Sequence, residues 1–541
     1  MRKWAAILLL SVVNFVMVLD STVMNVSISA VVADLGTTVA AMQAAITFYT
    51  LTMASLMLVG GRIGGVIGRK RALLIGCGVY AAGALITGLS TNVVVLGIGW
   101  SLVEGAGAAL AVPALSSLVA ANYQGSDRVA AYSILGAVAG TAAAAGPLIG
   151  GFVTSYFSWR YVFLAETLIM GVVFAFRGML VDSSGGTGER IDIPDALLSA
   201  AGFGLLVCGL LQGSSWGWTV PVDPPVVMGI TVAPFGLSPA LYLLLAGAVL
   251  IKVFFDRQKE AEDAGGNPLL KVSMLSSQTL RSGLSVLFAQ YVVTASVFFV
   301  IPVYLQMTLG YDALRTGLEI LPLSLALIVF STAGARLSAV WSPRRIVRIG
   351  QLLLVAGAFA LIGSVSADLR NAFFLAGMAC TGGGLGMLAS QLGNVNMSAV
   401  PQRDSAEVGG LQGVAQNLGS SLGTALIGSF LVATLTTSFV GDIQAANLPD
   451  TIKDYVRDNA TAVSIVPVSQ LSDYASSLGL SSDDVNGVVQ AYTASQMDAI
   501  RTSLAAVVVL GVLTLLVSRG IPNRPITGDE HGESVRRTRA G

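Results

Sequence analysis

The chain has 541 residues, of which 54% are hydrophobic and 11% charged, at a mean hydropathy of +0.77. Soluble domains average about 25% charged residues, so this composition excludes an ordinary water-soluble globule and indicates a polytopic membrane protein. Its 30 Lys/Arg and 30 Asp/Glu cancel, and the single histidine, His531, lies in the polar tail, which leaves no basis for histidine catalysis or a zinc site.

Apolar runs fall at 5–30, 42–62, 72–90, 93–121, 129–155, 160–181, 195–213, 237–256, 280–309, 316–340, 346–366, 371–397, 409–435 and 500–519. About 20 apolar residues span a bilayer core, so these predict fourteen transmembrane helices. The first lacks a small-residue cleavage site followed by a polar segment and is expected to be retained. Cys77, Cys208 and Cys380 sit in apolar runs at unrelated spacings and read as small buried residues. The segment 436–499 is the long polar interruption; its DTIKDYVRDNA and SQLSDYASSLGLSSDDVNGVVQAY stretches predict short amphipathic helices, a lid or platform on one reading and a plain surface loop on the other. Its Asn459-Ala-Thr461 sequon reads as chance, and the charged tail from Pro522 as disordered.

With the N-terminus inside, cytoplasmic segments hold 24 of the 30 Lys/Arg, including Arg2, Lys3, Arg128, Arg190 and Arg403; Arg160, Arg315, Arg370, Lys453, Arg457 and Arg501 fall opposite. This bias predicts a multi-pass protein of the cell inner (cytoplasmic) membrane with both termini cytoplasmic.

GRIGGVIGRKRALLIG (61–76) aligns without gaps with ARLSAVWSPRRIVRIG (335–350), with Arg62/Arg336, Val66/Val340, Arg71/Arg345, Ile75/Ile349 and Gly76/Gly350 identical. Gly136, Gly140, Gly146 and Gly150 match Gly409, Gly413, Gly419 and Gly423 at nearly the same offset, 273 against 274. The two matches together predict an all-α membrane protein of two related six-helix halves, a layout in which halves rock about a site near mid-membrane. The boundaries follow: 1–184 an N-terminal bundle, 185–270 two inserted linker helices with a cytoplasmic loop, 271–520 a C-terminal bundle carrying the outer loop, and 521–541 a tail.

Asp20 is the one charge between Trp4 and Val32. A carboxylate inside a membrane helix costs a few kcal/mol on insertion scales and is functional by default. From helix starts near Ala5 and Val93, Asp20 and Glu104 lie roughly 22 Å and 16 Å along their helices, both inside the membrane. Two nearby carboxylates disfavour each other's ionisation and hold protons. The bland alternative is a carboxyl hydrogen-bonded to a neighbour such as Asn14, Asn25 or Ser101. Glu166 follows Arg160 by six residues and either pairs with it at the interface or joins the coupling; Glu319 sits at the i, i+4 spacing of an ion pair with Arg315 or serves substrate or proton. Glu407 reads as a charge at a helix N-terminus.

Several segments carry a family resemblance. LDSTVMNVSISAV (19–31) is similar to the first-helix motif of the fourteen-helix drug:proton antiporters (EmrB/QacA-like) of the major facilitator superfamily. GGRIGGVIGRKR (60–71) resembles that superfamily's loop motif, EGAGAA (104–109) part of its fourth-helix motif, and GTAAAAGPLIGG (140–151) its antiporter motif. SWRYVF (158–163), 302–322 and 400–428 resemble further segments, so the likeness spans nearly the whole chain. The chain departs from the pattern where Gly65 replaces an Asp, where Ser101 and Glu104 replace an Arg and a Gln, and where Glu166 replaces an Asn.

The resemblance implies two bundles plus two inserted helices, with helices one and four facing one cavity. It implies proton coupling through Asp20, Glu104 and Glu166, and a conformational latch at Arg62, Gly65, Gly68, Arg69, Lys70 and Arg71, which otherwise read as positive-inside anchors. Gly136, Gly140, Gly146, Pro147, Gly150 and Gly151 would seal the path between halves, or simply pack tightly. Asn14, Met17, Ser101, Phe288, Gln290, Tyr291, Gln306, Glu319, Gln391 and Asn394 are cavity candidates, with Asn396 beside them; such residues are otherwise interhelical hydrogen bonders or core.

The function expected is a secondary transporter that exports amphipathic or cationic compounds in exchange for protons. It would work as a monomer among membrane lipids, powered by the proton motive force, with no cofactor, metal or nucleic-acid partner. A lipid or lipophilic-metabolite exporter is the second expectation, and a transport-inactive sensor or scaffold the third. No hydrolase triad or phosphate loop accompanies GIGWSLVEGAGAAL, which lies in a membrane helix rather than after a strand, so no enzyme is expected.

Overall fold

A computed structural model describes residues 2–37, 39–123, 125–181, 192–227, 230–266, 268–366, 369, 372–401, 405–459, 463, 465–477 and 480–524. Arg190, Arg370, Arg403, Thr461, His531 and the tail from 525 lie outside the described residues. Six helices build the first half: α1 (Arg2–Leu35), α2 (Val39–Ile67), α3 (Arg69–Gly88), α4 (Val93–Leu96, a π-helical stretch Gly97–Glu104, then Gly105–Asn122), α5 (Gly125–Tyr156) and α6 (Arg160–Ala175). The inserted pair is α7 (Ile193–Trp216) and α8 (Pro239–Asp263). The second half comprises α9 (Gln278–Val303), α10 (Ala313–Leu337), α11 (Pro343–Ser364), α12 (Ala372–Ser398), α13 (Ser405–Ala445) and α16 (Ser482–Val517). The short helices α14 (Asp450–Asp458) and α15 (Val468–Ser477) precede α16. A two-residue pairing of Val226–Val227 with Ile230–Thr231 lies between α7 and α8. The end of the bundle where α1 begins is called the base, the other end the top.

Among the described residues, thirteen helices are long and apolar enough to cross a membrane. The fourteenth, α6, has 16 residues and is extended at the base by the turn Arg177–Met179. The outer segment departs from expectation at both ends: α13 runs on to Ala445, past the expected start at 436, and the predicted amphipathic stretch 482–499 is the start of α16. Its Ser481 side chain accepts from Asp484 N, and Asp483 and Asp484 occupy the first turn, so capping and dipole start the helix long before its apolar run.

Three large apolar cores and a small one, of Leu19, Val23, Ala142 and Val162 between α1, α5 and α6, hold the fold. One joins α1–α6 through Leu10, Met24, Leu73 and Trp100, and another joins α9–α13 and α16 through Val300, Leu361, Leu392 and Leu504. The third lies across the halves, where Met57 and Leu58 of α2 meet Val408 and Leu411 of α13, Phe203 of α7 and Phe254 of α8. A polar chain continues it. Arg257 Nε and Gln258 Nε2 donate to Asp195 at 2.5 and 2.6 Å, Leu270 N donates to Gln258 Oε1, and Lys271 N to Glu407 Oε2. The inserted pair is thereby strapped to the second half.

The glycine repeat makes the same contacts twice. A Cβ on Gly146 or Gly150 of α5 would strike Thr22 and Val23 of α1; on Gly419 or Gly423 of α13 it would strike Phe288 and Val292 of α9. Gly140 faces Leu327 of α10 and Gly136 faces Ala389 of α12, while Gly413 faces Met57 of α2 and Gly409 faces Pro113 and Ser116 of α4. In each half, then, two glycines seat the fifth helix on the first, and two seat it on the other half.

Candidate functional site

Asp20, Glu104 and Glu166, from α1, α4 and α6, converge inside the first half with one oxygen of each within 4.8 Å of the others. Their exposures are 0, 0 and 2%. The local sequence brings them together. Glu104 ends the π-helical stretch, a geometry that concentrates at functional positions. Gly83 lets α3 lie against it so closely that a Cβ there would fall 2.4 Å from Glu104 N, and Gly107 does the same for Tyr80 N at 2.3 Å.

Aromatic side chains hold the cluster. Trp100 Nε1 donates to both oxygens of Asp20, at 2.9 and 3.1 Å, and its ring stacks on Tyr49 with centroids 4.9 Å apart. Tyr80 Oη donates to Glu166 Oε2 at 3.1 Å. Both oxygens of Glu104 and Oε1 of Glu166 have no hydrogen-bond partner among the described residues. The three carboxyls form a donor set that a proton or a hard cation can occupy. None of Trp100, Tyr49 and Tyr80 stood out in the sequence, where an aromatic in an apolar helix reads as core; the i, i+4 pairing of Trp100 with Glu104 was the available signal.

The local alternatives fail for specific reasons. Asn14 donates to Leu135 O, Asn25 to Ser21 O and Ser101 to Ala45 O, so none of them serves a carboxyl. Arg160 pairs with Asp34 and donates to Ser90 O, which leaves Glu166 to the cluster. Arg315 lies 3.6 Å over the Tyr311 ring, and no ion pair joins it to Glu319, which is half-buried. Asp20 and Glu104 face no open central cavity; both are enclosed within the first half.

The other candidates lie apart. Met17 is core, Phe288 and Tyr291 meet Gly419, and Gln290 and Gln306 are buried. Gln391 donates to Gly334 O, Asn394 accepts from Ser398, and Asn396 is buried. At the base, Gly68 takes φ 99° to break α2 from α3, Arg69 reaches Ser117 O, Arg71 is exposed, and Gly65 has open space about it. Arg62 is half-buried beside them. Lys70 Nζ donates to Leu180 O at 2.8 Å; its repeat equivalent Arg344 donates through Nε to Ile521 O at 2.7 Å, so in both halves a cation staples the third helix to the chain just past the sixth.

Two related helical bundles, an inserted helix pair and carboxyls buried in mid-bundle define a membrane transporter rather than an enzyme. Residues 10–424 match the Major Facilitator Superfamily, and the chain belongs to that family. The puromycin resistance protein pur8 of Streptomyces alboniger is 27% identical over 473 residues, 86% of this chain and 89% of its own. The cephamycin export protein CmcT of Amycolatopsis lactamdurans is 30% identical over 435 residues, 78% of this chain and 84% of its own. Among solved structures, the proton:xylose symporter XylE superposes with a TM-score of 0.55 at 11% identity, over 97% of this chain and 98% of that one; this likeness concerns the fold alone.

Proposed function

We propose that this protein is a proton-coupled exporter of amphipathic or cationic compounds, of the fourteen-helix antiporter type, with its base cytoplasmic and Asp20, Glu104 and Glu166 as its proton-binding element. The carboxyl triad carries the reading. Two full charges 4.8 Å apart repel by about 3.5 kcal/mol even at an effective dielectric near 20, and here there are three such pairs. Among the described residues no Lys or Arg pairs with any of the three. Protons shared among the carboxyls relieve this repulsion, and their number changes when the halves rock and water reaches the cluster. The relatives named for antibiotic resistance and export support the cargo class. The basic residues at the base support the orientation.

The test is ethidium movement in proteoliposomes under an imposed pH gradient. Wild type should move the dye in response to the gradient, and Asp20→Asn, Glu104→Gln and Glu166→Gln should uncouple it. Transport indifferent to the gradient, or driven equally by sodium at constant pH, removes the proton assignment.

A further inference from the structure

At the base of the second half, the start of α11, the turn before it and Asn523 bound a cavity of about 650 Å³. Arg344, Arg345 and Arg348 line it, together with Trp341. Two of the guanidiniums are fixed through Nε, Arg344 to Ile521 O at 2.7 Å and Arg348 to Ser518 Oγ at 3.4 Å. The third, of Arg345, lies 4.3 Å over the Trp341 ring. A guanidinium held at Nε or by its face still presents its outer N–H groups. Among the described residues no carboxylate lines the cavity or pairs with any of the three. The backbone at this helix start is already spent: Pro343 has no N–H, Arg344 N donates to Pro522 O and Arg345 N to Ser342 Oγ. The cavity therefore attracts anions through its side chains, and the N-terminal end of the α11 dipole adds to them.

We propose that this cavity holds the headgroup of an anionic phospholipid, whose phosphate meets Arg345 and Arg348 while an acyl chain runs along α11. Charge selects the headgroup. Phosphate oxygens match the paired N–H groups of a guanidinium, and a zwitterionic head would bring an ammonium that three guanidiniums repel. The helix face beyond the cations selects a lipid over a soluble phosphate. Arg345, Arg348, Leu352 and Phe359 follow one another at spacings of three, four and seven, which keeps them on one face. Leu352 and Phe359 are 55 and 66% exposed, so two cations lead into an open apolar stripe. Phe359 stands roughly 21 Å along the axis from Arg345, well inside the bilayer core. The site belongs to one half only. The repeat equivalents of Trp341 and Arg348 are Ile67 and Leu74, so the first half lacks both the stacking ring and the third cation.

The inference does not depend on the exporter reading and is tested by binding alone. The full chain in neutral detergent is mixed with dioleoylphosphatidylglycerol or dioleoylphosphatidylcholine, and retained lipid is counted by native mass spectrometry; glycerol phosphate, which has the head without the chains, is added as competitor. Wild type should retain the anionic lipid in preference to the zwitterion. Arg345→Gln and Arg348→Gln should each lower that preference about fivefold, the scale of one basic side chain at an anionic surface, and the double variant should lower it further. Both arginines are exposed, so the variants keep the fold, which unfolding without lipid checks. Lys259→Gln, at an exposed position of α8 toward the base and outside the cavity, should change nothing. Phosphatidylglycerol should raise the unfolding midpoint of wild type and not of the double variant, because a bound head braces the junction of α11 with the end of α16. Equal retention of the two lipids by wild type overturns the proposal, as does a preference that survives in the double variant. Displacement of phosphatidylglycerol by glycerol phosphate at equal concentration makes this a soluble-phosphate site and overturns the assignment to lipid.

Discussion

Trp100 Nε1 donates to both carboxyl oxygens of Asp20, tying α4 to α1 at the centre of the first half. Because the indole also stacks on Tyr49, Trp100→Phe removes the donor while keeping an aromatic ring in place. A buried hydrogen bond to a carboxyl contributes about 1.5–3 kcal/mol when the group is charged, so the variant should lower gradient-driven dye export by about tenfold or more. Thermal unfolding should show a folded protein. Unaltered export means that the bond is structural and does not set the charge of Asp20.

Glu104 sets stability against function. Both its oxygens are buried and have no partner among the described residues, a penalty of about 1–3 kcal/mol for a buried polar group left unmet. Glu104→Leu, of similar volume, should raise the unfolding midpoint measured in detergent while abolishing gradient-driven transport. A lower midpoint would show that the carboxyl is satisfied in the native membrane.

Gly317 of α10 is the tight point between halves toward the top. A Cβ there would stand 2.5 Å from Pro147 O, a backbone atom of α5 that has no flexible end to move aside. Gly317→Ala should push the halves apart at the top, read as a longer distance between spin labels on the tops of α5 and α10, and slow transport several-fold in line with the lost seal. An unchanged distance distribution would show that α5 shifts as a body.

Lys70 and Arg344 are repeat equivalents that staple opposite halves. Lys70→Ala and Arg344→Ala should each cost about 1–2 kcal/mol, the scale of a hydrogen bond from a charged donor, and their effects should add because the sites share no partner. Thermal unfolding of the two single variants and the double variant measures this; strong non-additivity would mean that the two sites are coupled.

Much of the fold was legible because a bilayer imposes length and apolarity on every crossing helix. All fourteen runs became helices, and the positions of Gly136 to Gly150 and Gly409 to Gly423 foretold a duplicated frame. Boundaries set by capping rather than hydropathy were less visible, as the start of α16 at Ser482 shows. At the site, the sequence marked Asp20 and Glu104 as costly charges, and three-dimensional packing added what spacing could not. Glu166 looked tied to Arg160, six residues away, until Asp34, from the distant end of α1, took that arginine. Trp100, Tyr49 and Tyr80 were hidden because a hydrogen-bonding aromatic and a core aromatic are written with the same letters. The scattered Gln and Asn candidates went the other way: Gln391 and Asn14 spend their amides on the carbonyls of neighbouring helices.

The frame is duplicated, but its acidity is not. Among the described residues, the second half buries no Asp or Glu, whereas α1, α4 and α6 of the first half bury three together. The glycine contacts are thus present in both halves and the buried acid cluster in one. On the proposed exporter reading, substitutions in the acid-free half would leave the carboxyl triad untouched, so that half has the wider latitude to change.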